Sequence, residues 1–520
     1  MKRISHLNII PPTLLLALSA FFSSILGVIR DHLLAGTFGA TSGTGIYNLD
    51  VYYAAFRIPD LLYLILVTGA VSAAFIPIFT QHKKEGDLKG AWAFANTMLH
   101  MMLIAVSVVG VIAFIFAPQL AKLVAAGFEP EAFALTVKLM RILLLSPLLF
   151  TFSAVFVSLQ DSFKVFFYRS LVPIFYNVGI IFTILFFAQD FGVIGVTWGV
   201  VLGALLELLI QLPALKIIGY QHQWILNYKR PDVRKAFKLM LPRVMTMGMF
   251  QLSQVAYTFI ASFLVTGSIT VLYFANNLYS LPLTIIGISF SITSFATLSE
   301  LAIEKSTKPF TLEIRRVMQQ ILFLVLPATI GVLLLRSEII DAILMNGKFT
   351  ARDAFLTSQV LMLMIVSLFT HSLILLLNRG FYAYHDTRTP LFATLTGVFI
   401  SIPLAYILAI PLNYGVLGIG TAISVSNITV FSLLYLFLQK KLGRSILEWG
   451  KVFRMFLISF LMGAAVYGLK LLWSYPEMLM QKLAYLIIIS LTGGLLYFVL
   501  AQAFQIPERQ MILRQLKRLK

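Results

Sequence analysis

A few charged residues lie inside long apolar stretches of this sequence, and the main ones are Arg30, Asp31, Asp50 and Arg57. An arginine or aspartate at the centre of a bilayer costs about 2.5–3.5 kcal/mol on insertion scales, so such residues face a cavity or a partner. Two guanidinium groups in a cavity would suit a diphosphate, because the planar group binds phosphate oxygens bidentately. Asp31 and Asp50 would then orient the arginines or exchange protons. The alternative is that the arginines pair with Asp31, Asp50 or Asp60 and only hold helices together.

Weaker polar signals occur in other apolar stretches. Asn276 and Asn277 would supply neutral hydrogen-bond donors from the opposite half of the chain. Glu207 and His371 are candidates for ion coupling during transport. The alternative for both is a hydrogen bond to a neighbouring helix, which is the more common role of a single buried acid or histidine.

Other kinds of chemistry lack the residues they require. The seven histidines show no metal-ligand spacing such as His-Glu-x-x-His, and the chain has no cysteine, so no metal site is predicted. No Walker loop occurs, which leaves an ion gradient or the membrane potential as the energy source. No cluster provides a general base, so we expect neither enzymatic activity nor a cofactor.

The composition is that of a membrane protein. Of the 520 residues, 59% are hydrophobic and only 12% are charged, whereas ordinary globular domains carry about 25% charged residues. The formal net charge is +19, but the basic residues are scattered over short loops instead of forming a basic domain. We therefore expect contact with membrane lipids and none with nucleic acid.

The apolar stretches predict an all-α polytopic membrane protein, because a spanning helix needs about 20 mostly apolar residues. About fourteen stretches meet this requirement. They cover approximately residues 8–36, 47–79, 91–117, 131–160, 170–189, 193–217, 236–264, 268–299, 311–335, 353–379, 389–410, 415–438, 451–473 and 483–504.

The loops between these stretches alternate in charge. Most lysines and arginines fall in every second loop, and the intervening loops contain only Lys122, Arg336, Lys348, Arg352 and Lys482. Basic residues are retained in cytoplasmic loops. The pattern predicts an even number of spans with both termini in the cytoplasm.

The chain also contains an internal repeat. The segment FGVIGV at residues 191–196 returns as YGVLGI at residues 414–419, six predicted spans later. Pro59 and Pro282 lie in corresponding aromatic-rich stretches. An even offset gives both copies the same orientation, which is a parallel repeat about an axis along the membrane normal. We predict an N-terminal lobe at 1–220, a C-terminal lobe at 221–445, each of six helices, and two further helices with a basic tail at 446–520.

Several motifs occur in order along the chain. They are ILGVIRD at 25–31, FGA at 38–40, AFRIPDLL at 55–62, GAVSAAFIP at 69–77, GKFTARD at 347–353 and GFYAYHDTRTP at 380–390. Together these motifs resemble those of the MurJ/MviN lipid II flippase family. The resemblance implies the fold of the multidrug/oligosaccharidyl-lipid/polysaccharide exporter superfamily, with two lobes, a central cavity and two extra C-terminal helices.

The same resemblance implies a function and a location. It implies alternating-access export of a lipid-linked peptidoglycan precursor, an undecaprenyl-diphosphate-linked glycan, across the bacterial cytoplasmic membrane. We also expect a monomer, with a contact to the machinery of cell-wall synthesis. The alternative on the same fold is a cation-coupled exporter of small molecules, which would suit Asp50 but not two cavity arginines.

The sequence departs from the family at positions where members carry further cavity arginines. Ser24, Tyr63 and Asn277 occupy those positions here, whereas Arg57 stands where many members have lysine. The chain also carries an insertion of a few residues around Thr41 to Tyr47. These departures leave three interpretations open: lipid II bound through other groups, a related polyprenyl-diphosphate glycan as the substrate, or a paralogue whose transport is lost.

Overall fold

The computed structural model describes residues 12–41, 48–68, 75–304 and 307–510. Within these ranges all regular structure is helical, with nineteen α-helices and two short π-helical segments. Most of the insertion near residue 41 and the start of the GAVSAAFIP motif, residues 69–74, lie outside the described residues. The expectation of an all-α chain is confirmed.

Many of these helices are long and apolar enough to cross a bilayer. Ten meet that requirement among the described residues, or eleven if the bent pair Ala351–Ile365 and Leu368–Ala383 forms one span. Large apolar side chains remain exposed on helix surfaces, for example Phe186 at 64% and Phe399 at 72%. A helix whose outer face is apolar along its whole length is suited to contact with lipid. The chain is a multi-pass membrane protein.

The chain divides into two compact units. The first comprises Met1–Thr270 together with Asn346–Thr350, and the second comprises Val271–Met345 and Ala351–Lys520. The predicted lobe boundary after residue 220 and the separate unit at 446–520 stay predictions.

The first unit contains ten helices. They are α1 (Pro12–Phe38), α2 (Leu49–Tyr63), α3 (Ile76–Lys84), α4 (Leu88–Ile115), α5 (Ala117–Ala125), α6 (Pro130–Leu143), α7 (Ser146–Phe163), α8 (Phe166–Leu209), α9 (Leu212–Ile218) and α10 (Pro231–Ser262). Side-chain caps mark the first residues of two helices. The Asn48 side chain accepts from the Val51 amide at the start of α2, and the Asp87 side chain accepts from the Gly90 amide at the start of α4. The aromatic core at one end includes Phe75, Phe79 and Trp92.

Helix α8 is 44 residues long but is not one continuous helix. Gly192 interrupts it with φ 57° and ψ −144°, a conformation open to glycine because it has no Cβ. The break lies between the predicted spans 170–189 and 193–217. A Cβ on Gly195 would lie 2.8 Å from the Phe187 carbonyl oxygen, so the second part of α8 returns closely against the first.

The second unit contains the remaining helices. They are α11 (Ser268–Pro282), which starts at the end of the first unit, α12 (Ser289–Ile303), α13 (Thr307–Leu344), α14 (Ala351–Ile365), α15 (Leu368–Ala383), α16 (Arg388–Ala409), α17 (Val416–Leu442), α18 (Trp449–Leu472) and α19 (Leu479–Ala503). Ion pairs from Lys470 to Glu338 and from Lys482 to Asp341 attach α18 and α19 to α13. Helices α16 and α17 pack along each other over most of their length.

Candidate functional site

Arg30 and Asp31 lie together near the C-terminal part of α1. The Arg30 guanidinium donates from Nη2 to Asp31 Oδ1 at 2.9 Å and from Nε to the same oxygen at 3.1 Å. Its Nη1 donates to Asn177 Oδ1 of α8 at 3.2 Å. Both charged side chains are largely buried, at 17% and 10% exposure. The pairing considered from the sequence is present, and a third residue completes it.

Asn177 connects this pair to both α1 and α8. Its amide nitrogen donates to the Pro173 carbonyl at 3.0 Å and to Ser23 Oγ at 3.3 Å. Because the amide nitrogen is engaged in this way, the amide oxygen is turned toward Arg30. The sequence reasoning missed Asn177, although an amide inside the apolar stretch 170–189 was an available signal.

Arg57 lies in α2 and has a partner in α10. Its Nε donates to Thr258 Oγ1 at 2.9 Å, and Thr258 itself donates to the Gln254 carbonyl. The hydroxyl is a neutral partner, and Asp60 of the same helix interacts electrostatically with the guanidinium, as the sequence alternative allowed. Pro59 lies inside the same helix, and a π-helical segment follows at Leu64–Thr68. A proline and a π-helical segment both disturb the regular helical hydrogen bonds.

Asp50 has a different environment from the arginines. Its carboxylate accepts hydrogen bonds from the Gly267 amide at 2.7 Å, the Thr270 amide at 2.8 Å and the Thr270 hydroxyl at 2.6 Å. These donors belong to the first turn of α11 and the residue before it. A carboxylate at this position satisfies amides that lack helical partners. Asp50 therefore fixes the start of α11 against the start of α2.

The two asparagines of α11 lie in the second unit. Asn276 is exposed and Asn277 is half-buried, and the Asn277 carbonyl accepts from Ser280 Oγ at 2.7 Å. Ser24 and Tyr63, where we expect family members to carry arginine, lie in the first unit. The Ser24 hydroxyl donates to the Ala20 carbonyl one turn back, and the Tyr63 ring packs 5.0 Å from the Phe150 ring.

Inside the first unit, hydrogen bonds connect Glu207 to a row of uncharged polar side chains. The Ser153 hydroxyl of α7 donates to Glu207 Oε1. Gln211 Nε2 donates to Ser153 Oγ at 2.7 Å, and Gln160 Nε2 donates to Gln211 Oε1 at 2.9 Å. Among the described residues the Glu207 carboxyl has no ion-pair partner.

His371 is at the centre of a second polar cluster, in the second unit. Its Nδ1 lies 2.9 Å from the Tyr279 hydroxyl. The Asn427 amide nitrogen lies 3.3 Å from the same hydroxyl and donates to Ser367 Oγ at 3.0 Å. Helices α11, α15 and α17 therefore meet at these side chains. Across the described part of the chain, no group of three or more His, Cys, Asp or Glu side chains is placed to hold a metal ion.

A charged cluster lies at one end of the first unit, outside the predicted spans. Arg230 Nη2 donates to Asp232 Oδ2 at 2.6 Å, and His82 Nε2 lies 2.9 Å from the same oxygen. Burial opposes ionisation of Asp232, but its bonds to Arg230 and His82 outweigh that effect and lower the pKa of the carboxyl. The cluster joins the end of α3 to the first turn of α10.

Comparison with known proteins places these features in a family. The family model described as "Lipid II flippase MurJ" matches residues 34–490. The chain belongs to the MurJ lipid II flippase family. A protein of Thermotoga maritima named "Probable lipid II flippase MurJ" is 30% identical over 97% of this chain and 99% of that protein. A namesake from Haemophilus influenzae is 28% identical over 88% of this chain and 90% of its own length.

Solved structures agree with this assignment. One described as "Lipid II flippase MurJ, inward closed conformation" superposes with a TM-score of 0.77 at 25% identity, over 96% of this chain and 100% of that chain. A multidrug resistance MATE family transporter superposes at 0.67 with 15% identity, over 80% of this chain and 94% of that one. The second likeness concerns the fold alone, so the alternative of a small-molecule exporter is not favoured.

Proposed function

We propose that this chain translocates lipid II across the cytoplasmic membrane by alternating access. The observation that carries the proposal is the MurJ family match over residues 34–490, together with a relative of that name aligned over 97% of the chain. In this proposal the substrate is transported without chemical conversion. The charged residues within apolar helices then serve its binding. A related polyprenyl-diphosphate glycan is the alternative substrate.

Arg30 and Arg57 are the proposed phosphate contacts. Arg30 is held in place by Asp31 and Asn177, and Arg57 is held by the neutral Thr258 hydroxyl. A guanidinium fixed by neighbours loses less rotational entropy when it binds a phosphate oxygen. Asp31 supports Arg30 directly, whereas Asp50 supports the site by fixing the start of α11. We further propose that Asn276 and Asn277, farther along α11, donate neutral hydrogen bonds to the glycan headgroup.

The proposed architecture has fourteen spans in two six-helix lobes followed by α18 and α19. Two backbone features support the repeat. Gly192 and Gly415 share an unusual conformation, and the helices containing Pro59 and Pro282 are each followed by a π-helical segment. Counting the two parts of α8 separately, and adding α2 and α10 to the eleven membrane-length elements, gives the predicted number. Rocking of one lobe against the other would change the side from which the substrate is reached.

We propose that Glu207, in the first unit, couples transport to the movement of an ion. We propose the same role for His371 in the second unit. Among the described residues the Glu207 carboxyl accepts from the neutral Ser153 hydroxyl and makes no ion pair, so a change in its charge would not be compensated locally. If Glu207 exchanges a proton during the cycle, Glu207→Gln should slow transport by at least tenfold while lipid II binding is retained. Equal transport by wild type and Glu207→Gln would remove Glu207 from the mechanism.

The remaining features of the proposal concern orientation and assembly. We propose that both termini lie in the cytoplasm, that the chain acts as a monomer, and that it contacts the cell-wall synthesis machinery. The alternation of basic loops supports the orientation.

The function is tested by replacing the resident lipid II flippase of a bacterium with this chain. Growth and the amount of externalised lipid II are followed after depletion, with membrane insertion confirmed by fractionation. We expect rescue by the wild-type chain, loss of rescue by Arg30→Ala and by Arg57→Ala, and unchanged rescue by Arg444→Ala, an exposed control. A well-inserted wild-type chain that fails to rescue would count against lipid II and favour another polyprenyl-linked glycan, a missing partner or a paralogue that no longer flips lipid II.

A further inference from the structure

A pocket of about 450 Å³ opens at one end of the second unit. It lies where the end of α15, the turn after it, the first turn of α16 and the last turn of α17 meet. The alternation of basic loops assigns this end to the cytoplasmic side. Its walls combine three basic side chains, from Arg388, Lys440 and Lys441, with the rings of Phe392 and Phe437.

The negative charge of the single acid in the pocket wall is already balanced by neighbouring groups of the chain. Asp386 accepts from the Thr389 amide at 3.1 Å, from the Thr389 hydroxyl at 2.9 Å and from Lys441 Nζ at 3.5 Å. Partial burial opposes its ionisation, but these bonds outweigh that effect and lower the pKa of the carboxyl. Lys441 is further held 4.7 Å above the centre of the Tyr384 ring. Asp386 and Lys441 therefore form a balanced pair.

The other two cations are not balanced by the chain. Neither the Arg388 side chain nor the Lys440 side chain makes a hydrogen bond or an ion pair with any described residue. Arg388 begins α16, a helix of 22 residues whose amino end adds a partial positive charge to the same place. Two uncompensated cations beside a concave surface favour an anion as the ligand.

The aromatic wall indicates that the anion belongs to a lipid. Phe392 is 57% exposed and its ring centre lies 6.2 Å from that of Phe437. Phe392 follows Arg388 by one helical turn, so the two share a face of α16. Cations at a helix end with apolar rings one turn deeper match a headgroup followed by acyl chains, whereas a soluble anion would leave the rings uncovered.

We propose that this pocket binds the headgroup of an anionic membrane phospholipid, with its phosphate between Arg388 and Lys440. The acyl chains lie along Phe392 and Phe437. This site lies within the second unit and involves none of the residues proposed to contact the transported substrate. It does not depend on the proposed transport function.

The test is native mass spectrometry of the full chain released from nanodiscs that contain phosphatidylglycerol or phosphatidylcholine. The variant is Arg388→Gln with Lys440→Gln. The control is Arg444→Gln with Arg454→Gln, which removes the same charge from exposed residues outside the pocket. We expect the wild type and the control to retain phosphatidylglycerol, and the pocket variant to bind it at least tenfold more weakly, since each basic residue near an anionic headgroup contributes about fivefold.

Two further variants separate folding from binding. Arg388→Lys with Lys440→Arg keeps both charges and should retain the lipid, whereas Phe392→Ala keeps the charges and should retain less of it. Equal loss in the pocket and control variants would show diffuse surface attraction and overturn the proposal. Equal retention of phosphatidylcholine, displacement by inorganic phosphate, or a defect limited to undecaprenyl diphosphate would overturn it as well.

Discussion

Gly192 and Gly415 adopt the same backbone conformation in different parts of the chain. Gly192 has φ 57° and ψ −144°, and Gly415 has φ 56° and ψ −138°. Each lies between two antiparallel helical segments, and each is followed three residues later by a glycine against which the preceding segment packs. The two occurrences of the repeated motif therefore encode the same sharp connection.

We expect Gly192→Ala and Gly415→Ala to destabilise the protein by about 1–3 kcal/mol each, since a residue with a Cβ is strained in this conformation. Gly494→Ala is the matched control, because that glycine lies in α19 with open space where a Cβ would be. Thermal unfolding in detergent measures the difference. A control as unstable as the two variants would show that the membrane helices do not tolerate the change at any position.

Thr258→Val tests how Arg57 is positioned. The substitution keeps the size of the side chain but removes the oxygen that accepts from Arg57 Nε. A hydrogen bond contributes about 1 kcal/mol, so we expect lipid II transport to fall roughly fivefold, less than for Arg57→Ala. Transport by reconstituted protein in vesicles measures both. Unchanged transport by Thr258→Val would mean that this hydroxyl does not position the guanidinium for transport.

We expect Asp50→Ala to lower the stability of the protein, and any effect on transport to follow from that loss. The variant leaves the Gly267 and Thr270 amides without the carboxylate that now accepts from them. Loss of a helix cap costs about 0.5–2 kcal/mol, and we expect the upper part of that range. Asp190→Asn, at an exposed position in the predicted loop before Gly192, should change the melting temperature little. If Asp50→Ala melted like the wild type while transport stopped, Asp50 would have a direct role in the transport cycle.

The Asp232 cluster should give a pH-dependent contribution to stability. The pKa of Asp232 is lowered from 3.8 in the folded protein, so its contribution is complete above that value and is lost as the pH falls through the lower folded pKa. Asp232→Asn should therefore destabilise by about 1–3 kcal/mol at pH 7, and the difference from wild type should shrink as the pH falls below 3.8 toward the lower folded pKa. Melting curves across this range measure it, with Glu477→Gln as the exposed control. A difference that stayed constant with pH would exclude the ion pair as its cause.

The sequence alone located much of the helical structure. The predicted spans 415–438, 451–473 and 483–504 correspond to Val416–Leu442, Trp449–Leu472 and Leu479–Ala503. This agreement has a physical reason: an apolar run of about 20 residues has to satisfy its backbone internally in lipid, and a helix does so without any distant partner. The family motifs were equally readable, because they are contiguous.

The partners of the charged residues were decided by the tertiary structure. Asp50 meets Thr270, and Arg30 meets Asn177, across separations that no local pattern encodes. A polar residue in an apolar helix indicates that a partner is needed. The sequence does not identify that partner, because its identity depends on how the helices rotate and pack. The sequence by itself therefore determined where the helices and the costly charges are, whereas packing decided that Asp50 fixes a helix and that Asn177 and Thr258 hold the arginines.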